Sequence, residues 1–290
     1  VRRRPDRAML LVRAAIGLPM PASNAAVSPP GKQGQDLKAV YDLLMGIRII
    51  ATKAEETELI EELVQPSQTT TLAFLNQHGI NLALSNASFR GDLAQSSVLV
   101  RDGVGSEVAL LLVGRQSGLN INGTDFIPHL LQAAMRKNLS VAVIGTNEPW
   151  LSRAGEKLRQ MGVRLVASVD GFREVADYPA IVAEADPDIV VLGMGMPRQE
   201  AVASLLAERA DRPRLIISGG AILDFHAERF MRAPLWFQKS RLEWLWRLIH
   251  EPKRLGPRYI AGGFAFAGTL ARLFLLRRGS EARGGGESQP

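Results

Sequence analysis

Three polar clusters stand at the ends of apolar runs. Asn76 follows Thr70–Leu75, Asp102 and Gly103 come just past Ser97–Val100, and Gly193-Met194-Gly195-Met196-Pro197-Arg198-Gln199-Glu200 follows Ile189–Leu192. A carboxylate such as Asp102 can act as general base and deprotonate an attacking hydroxyl. Asp-Gly is also a common turn pair, so a solvated turn aspartate is the plainer alternative. Asn76 can hydrogen-bond a sugar or nucleotide, or simply cap a helix. Arg198 and Gln199 fall in the first turn of a helix after two glycines. There they can help the helix N-terminus hold a phosphate. They can equally be surface residues of an exposed turn. Pro197 and Arg198 break the G-x-G-x-x-G spacing of a dinucleotide site, and no Walker lysine motif is present.

The elements that must position these residues follow from periodicity and breakers. A first strand is expected around Ile47–Ala51. A helix over Thr52–Val64 follows, with Thr52 and Glu55 at capping-box spacing. Further strands are expected at Thr70–Leu75, Ser97–Val100, Val141–Ile144, Arg164–Ser168, Ile189–Leu192 and Arg214–Ser218. Helices are expected between them, over about Ile80–Ala94, Ser106–Gly114, Asp125–Lys137 capped by Thr124, Pro149–Met161, Tyr178–Ala185 and Arg198–Ala210. This β-α alternation with short connections is the signature of an α/β fold, a parallel sheet with helices on both faces. Gly145, the loop with Gly171 and Phe172, and Gly219-Gly220 all fall at strand ends. A ligand site is therefore expected along the C-terminal edge of the sheet.

Composition narrows the chemistry. The 290 residues can bury a sizeable core and include no cysteine, which excludes disulfides and thiolate metal sites. Four histidines are scattered without metal-ligand spacing. The net charge of +6 is concentrated late, in a segment that interleaves Arg232, Arg241, Arg247, Lys253, Arg254 and Arg258 with Trp236, Trp244 and Trp246. Such a segment suits an anionic partner: a phosphate ligand, an anionic membrane face or, as the least favoured choice, nucleic acid. Residues 260–276 are apolar apart from Thr269 and Arg272. They are read as a helix on the membrane surface, ahead of a core helix or a span. Four divisions are expected: a disordered leader over 1–35 rather than a signal peptide, a core over 36–228, a basic and aromatic appendage over 229–278, and a disordered tail over 279–290.

The segments RDGVG (101–105), GTDFIPHLL (123–131), PDIVVLGMGMPRQE (187–200), SGGAILDFHAERFMRAPLW (218–236) and RLEWLWRLIHEPKRLGPRY (241–259) together resemble the WecG/TagA/CpsF family of bacterial glycosyltransferases. The resemblance runs from about Ile47 to Arg258. It implies a Rossmann-like core with a helical C-terminal appendage that associates with the membrane. It implies an inverting enzyme that needs no bound metal or other cofactor. The donor would be a UDP-sugar and the acceptor a polyprenyl-pyrophosphate-linked sugar at the cytoplasmic membrane face, in exopolysaccharide or other surface-polymer synthesis. It places the general base at Asp102, with Asn76 and Gln199 as the residues that position sugar or acceptor. Substrate contacts would come from Gly103, Gly145, Phe172, Gly193, Gly195, Arg198 and Asp224. Arg247, Arg254 and Arg258 would face the pyrophosphate. Three positions depart from the family pattern: Phe74 replaces a frequent threonine, Arg101 a frequent proline, and Asn120 an arginine. Arg101 or Arg115 is a candidate to supply the missing charge. No nucleic-acid partner is implied, and a homo-oligomer is left open. The rival class is a non-catalytic UDP-sugar-binding or scaffold protein of a polysaccharide assembly complex.

Overall fold

Six strands form one sheet, every pair parallel, in the order β2-β1-β6-β5-β3-β4. They are β1 (Thr70–Leu75), β2 (Val98–Arg101), β3 (Ser140–Gly145), β4 (Arg164–Val169), β5 (Ile189–Gly193) and β6 (Leu215–Ser218). The computed structural model describes residues 30–230, 232–234, 236, 237 and 243–284, without the side chains of 30–33, 243, 244, 247, 253–255, 257–260 and 279–284. The four inner strands are buried almost throughout, with unbroken Val/Ile/Leu runs in β5 and β6, as a sheet covered on both faces requires.

Alternation along the strands divides the core in two. Leu72 and Phe74 of β1, Ile189 and Val191 of β5, and Leu215 and Ile217 of β6 point to one face. There they meet α2 (Lys53–Leu63), α6 (Gly123–Arg136), α7 (Trp150–Gln160) and α10 (Ile222–His226). The opposite face has two clusters. Ala73, Leu75 and Leu99 pack with α1 (Pro30–Gly46), α3 (Gln77–Ser85), α4 (Ala87–Ala94), α5 (Gly103–Leu112) and α12 (Pro252–Gly284). Val190, Leu192 and Ile216 pack with α8 (Tyr178–Ala185) and α9 (Arg198–Glu208). Each fully buried Val, Leu or Ile contributes about 1.5–3 kcal/mol relative to exposure. The result is a three-layer, Rossmann-like α/β arrangement.

Several expectations are corrected. Residues 47–51 form no strand. Arg48 N–H donates to Leu99 O, but Ile50 O accepts from Leu119 in the loop after α5, so no ladder forms. The expected helix over 80–94 is two helices, because Asn86 is extended and caps α4 by accepting from Phe89 N–H. Asn122, not Thr124, caps α6, accepting from Asp125 N–H at 2.9 Å. Thr52 does cap α2, accepting from Glu55 N–H, while Glu55 reaches back to Ala51 N–H.

The C-terminal helices are α11 (Glu243–His250) and α12. The latter runs on to Gly284, beyond the expected end at 278. Phe266, Thr269 and Leu273 form its buried stripe, and Asn81 of α3 donates to Gly262 O at 2.8 Å. So α12 is partly a core helix, although Phe264 and Leu275 on other faces stay exposed. Among the described residues no helix is long and apolar enough to cross a membrane, which removes the span reading of 260–276.

Candidate active site at the C-terminal edge of the sheet

The strand ends bring most of the singled-out residues to one edge. Leu75 and Arg101 are partners in the parallel register of β1 and β2. Asn76 and Asp102 therefore leave the sheet side by side, from strands about 4.8 Å apart. Asp102 N–H donates to Leu75 O at 2.9 Å. Asp102 occupies the N-cap of α5 with extended backbone, yet its carboxylate makes no capping bond. Asn76 does cap: its Oδ1 accepts from Gly79 N–H at 3.1 Å. Its Nδ2 has no hydrogen-bond partner among the described residues. Gly103 N–H donates to Asn120 Oδ1 at 2.7 Å, which ties the Asp-Gly turn to the loop before α6. At Gly105 a Cβ would collide with Gln77, so the first turns of α5 and α3 sit against each other only because that residue is glycine.

The next turns follow β5 and β6. Gln199 lies here, only 1% exposed. Its Oε1 accepts from Gly195 N–H at 3.2 Å and from Gly220 N–H at 2.9 Å. Its Nε2 donates to Glu200 Oε1 at 2.8 Å and to Ser218 O at 3.4 Å. This corrects the expectation that Gln199 faces sugar or acceptor: both ends of the amide are taken by the protein. The glycine N–H groups of these turns are taken as well. Those of Gly103, Gly195 and Gly220 meet side-chain oxygens, and that of Gly219 meets Leu192 O. Glu200 is buried beside Gln199, and its Oε2 has no hydrogen-bond partner. Burial pushes its carboxyl up to about 7, against the Gln199 hydrogen bond and a backbone N–H, which favour the charged form.

Thr146 joins the other half of the edge, and the sequence reading missed it. Its N–H donates to Gly193 O, its carbonyl accepts from Gly171 N–H, and its hydroxyl donates to Asp224 Oδ1 at 2.7 Å. It holds a left-handed backbone (φ 45°), costly for a β-branched residue and sustained by these three bonds. Gly145 pairs with Gly193, and a Cβ at Gly145 would run into the Gly193 carbonyl, so the two strand ends close directly on each other. Asp224 also holds Arg229, whose Nη1 lies 3.1 Å from the same Oδ1. The guanidinium groups of Arg153 and Arg229 lie 4.9 and 5.5 Å from the centre of the Trp150 ring. Phe172, after β4, is 72% exposed. Asp170 shapes its loop by accepting from Phe172 N–H and Arg173 Nε, and Arg173 first, then the Phe172 N–H, hold that carboxyl below its ordinary value. Arg198 donates to Gly171 O at 2.9 Å and to Arg173 O, so its guanidinium braces this same loop.

The departures from the family pattern fall into place structurally. Phe74 is 4% exposed and packs edge-on against Phe126 (centroids 6.3 Å apart), inside the core. Arg101 is 3% exposed and donates to Ser117 O at 2.6 Å and Gly118 O at 2.8 Å. One nitrogen of Arg115 bonds the carbonyls of Leu44, Met45 and Ile47 at the end of α1. Arg115 is thus taken up at the end of α1, whereas Arg101 also donates to Gly103 O at 3.3 Å and lies 3.5 Å from Glu107, beside the Asp-Gly turn. Arg247, Arg254 and Arg258 lie on α11 and α12, but their side chains are outside the described residues. Arg232 pairs with Asp125, whose other oxygen accepts from Asn122 Nδ2, so the segment after α10 is tied to the start of α6. Among the described residues no group of three or more His, Asp or Glu side chains is arranged to hold a metal ion.

Such an edge can present a carboxylate and an amide to one ligand, beside a second region with an exposed aromatic ring and arginines. Over 179 residues, 59% of this chain and 68% of the relative, the sequence is 28% identical to an N-acetylglucosaminyldiphosphoundecaprenol N-acetyl-beta-D-mannosaminyltransferase of Bacillus spizizenii. The profile of the Glycosyl transferase WecG/TagA/CpsF family matches residues 42–280, which takes in every strand and the whole candidate edge, and the chain belongs to that family.

Proposed function

We propose that this chain moves a sugar from a UDP-sugar to a polyprenyl-diphosphate-linked acceptor, with inversion at the anomeric carbon and without a bound metal. The paired exit of Asn76 and Asp102 from β1 and β2 carries the reading. The Asp102 carboxylate takes the proton of an acceptor hydroxyl. The hydroxyl oxygen forms the new bond to the anomeric carbon, and the bond from that carbon to the β-phosphate oxygen breaks. UDP departs with the electron pair. Asn76 offers its Nδ2 to a sugar oxygen. Phe172 and Asp224 border the nucleotide, with Thr146 holding Asp224 in place. Gly145 lets its strand end close on the Gly193 backbone and Gly193 leaves room for the Leu223 side chain, while Gly103 and Gly195 turn the chain at positive φ (80° and 78°), and together they shape the cleft.

Leaving-group charge is met by arginines of the C-terminal segment, with Arg247, Arg254 and Arg258 in that role. Because several turn N–H groups are already bonded within the protein, side-chain cations carry more of this task than a glycine cradle would. The relative's printed acceptor supports N-acetylglucosaminyl-diphosphate-polyprenol as the acceptor class. The product serves exopolysaccharide or another surface polymer. The protein works as a peripheral protein on the cytoplasmic face of the membrane, where such an acceptor is held. The exposed Phe264 and Leu275 of α12, with Arg272 and Arg278 on the same helix, suit that surface.

The reading is tested by incubating the full chain with N-acetylglucosaminyl-diphosphate-polyprenol and a panel of UDP-sugars in a chelator. Transfer from one donor with release of UDP is expected. No transfer from any UDP-sugar, with UDP failing to bind, would reject it.

A further inference from the structure

We infer that Gln199 and Glu200 form a cross-brace that fixes the spacing of the β5 and β6 turns, so that Gln199 is a positioning residue for the donor site and not a ligand contact. The inference deepens the proposed function and rests on it for its activity readout. Three observations support the brace. One oxygen, Gln199 Oε1, collects the N–H groups of Gly195 and Gly220, which belong to different turns. The amide cannot be turned over, because Nε2 would then confront two N–H donors. Glu200 Oε1 selects the working orientation by accepting from Nε2 at 2.8 Å. The pair is sealed, at 1% and 2% exposure, so no ligand reaches it.

The surroundings make the brace sensitive to proton count. Desolvation pushes the Glu200 carboxyl up to about 7, and Asp92 of α4 raises it further. Strands β1, β5 and β6, which also pack on α9, carry no titratable side chain. The segment around α8 carries Asp177, Tyr178 and Glu184.

The substitution Gln199→Glu sets two carboxyl groups against each other. At about pH 6 they can share a proton, which restores one donor between them. At about pH 8.5 both are charged and repel, so the brace opens. The swap Gln199→Glu/Glu200→Gln exchanges donor and acceptor and restores the bond at either pH. UDP affinity and the donor KM of the full chain report the brace, each variant being compared with the unsubstituted chain at the same pH. We expect Gln199→Glu to stay within about threefold at the lower pH and to lose about tenfold or more at the higher, with the swap recovering most of that loss. Unchanged behaviour of Gln199→Glu at the higher pH overturns the brace. So does a loss equal at both pH values, or one that the swap leaves unrepaired. Should the unsubstituted chain bind no UDP, the donor reading fails instead, and thermal unfolding of the same variants at both pH values decides the brace.

Discussion

Asp102 donates its backbone N–H to the carbonyl of Leu75 at 2.9 Å, the last rung between β2 and β1. That rung sets Asp102 next to Asn76, the residue after Leu75, although 26 positions separate them in the sequence. The proposed base and the proposed sugar ligand are thus placed by strand register, and each sits at the N-cap of the helix that follows.

Asn76 has two duties that a substitution can separate. Aspartate keeps the cap on Gly79 N–H but lacks the Nδ2 donor. Asn76→Asp should hold stability within a few tenths of a kcal/mol yet lower transfer by about tenfold or more. Asn76→Ala should in addition lose about 1 kcal/mol of stability. Thermal unfolding and initial rates check both. Full transfer by Asn76→Asp would leave Asn76 as a cap alone.

Glu200 predicts a pH dependence of stability. Its folded value is raised to about 7 from an ordinary 4.5. The folded state therefore binds the proton more tightly. The contribution is fully present below pH 4.5 and is lost as pH rises to about 7. A shift of this size corresponds to about 3 kcal/mol over that window. Glu200→Gln should flatten this part of the curve in denaturant titrations. An unaltered slope would mean that Glu200 is ionised in the folded protein at neutral pH.

Phe172 projects its ring at 72% exposure beside the ends of β3 and β4. Stacking on a nucleobase contributes about 1–3 kcal/mol. Phe172→Ala should weaken UDP binding by about tenfold, and Phe172→Trp should preserve it, as read by calorimetry. Equal affinity in all three would remove the ring from the nucleotide site.

Membrane contact through α12 predicts a surface effect without loss of fold. Phe264→Asp with Leu275→Asp leaves Phe266 and Leu273, the buried stripe, untouched. The double variant should sediment with anionic phospholipid vesicles about tenfold less well than the unsubstituted chain. Unchanged sedimentation would place the lipid-facing surface elsewhere.

Much of this was legible in the sequence. Six runs gave six strands because each is short and ends in, or is followed by, glycine or a polar residue, as Ile189–Gly193 shows. The error at Ile47–Ala51 has a physical source. The run is apolar because Ile47 and Ile50 are buried, and burial alone does not create a ladder. The loss of Gln199 from the ligand-facing set could not be read from its motif. Only the fold brings Gly220 within reach of its amide. Thr146 was invisible for a similar reason. Its importance lies in three bonds to residues 25 to 78 positions away, none of them marked by a local motif. Asn120 stood out only as a departure, yet it accepts the N–H of Gly103 and so steadies the turn that carries Asp102.

The central claim is that Asp102 is the base of a sugar transfer. The most direct test is the rate of UDP release from the cognate donor and polyprenyl-diphosphate acceptor for Asp102→Asn, alongside its affinity for UDP. The account predicts a rate reduced by about a hundredfold or more with UDP affinity within about threefold. Turnover by Asp102→Asn equal to that of the unsubstituted chain would contradict it.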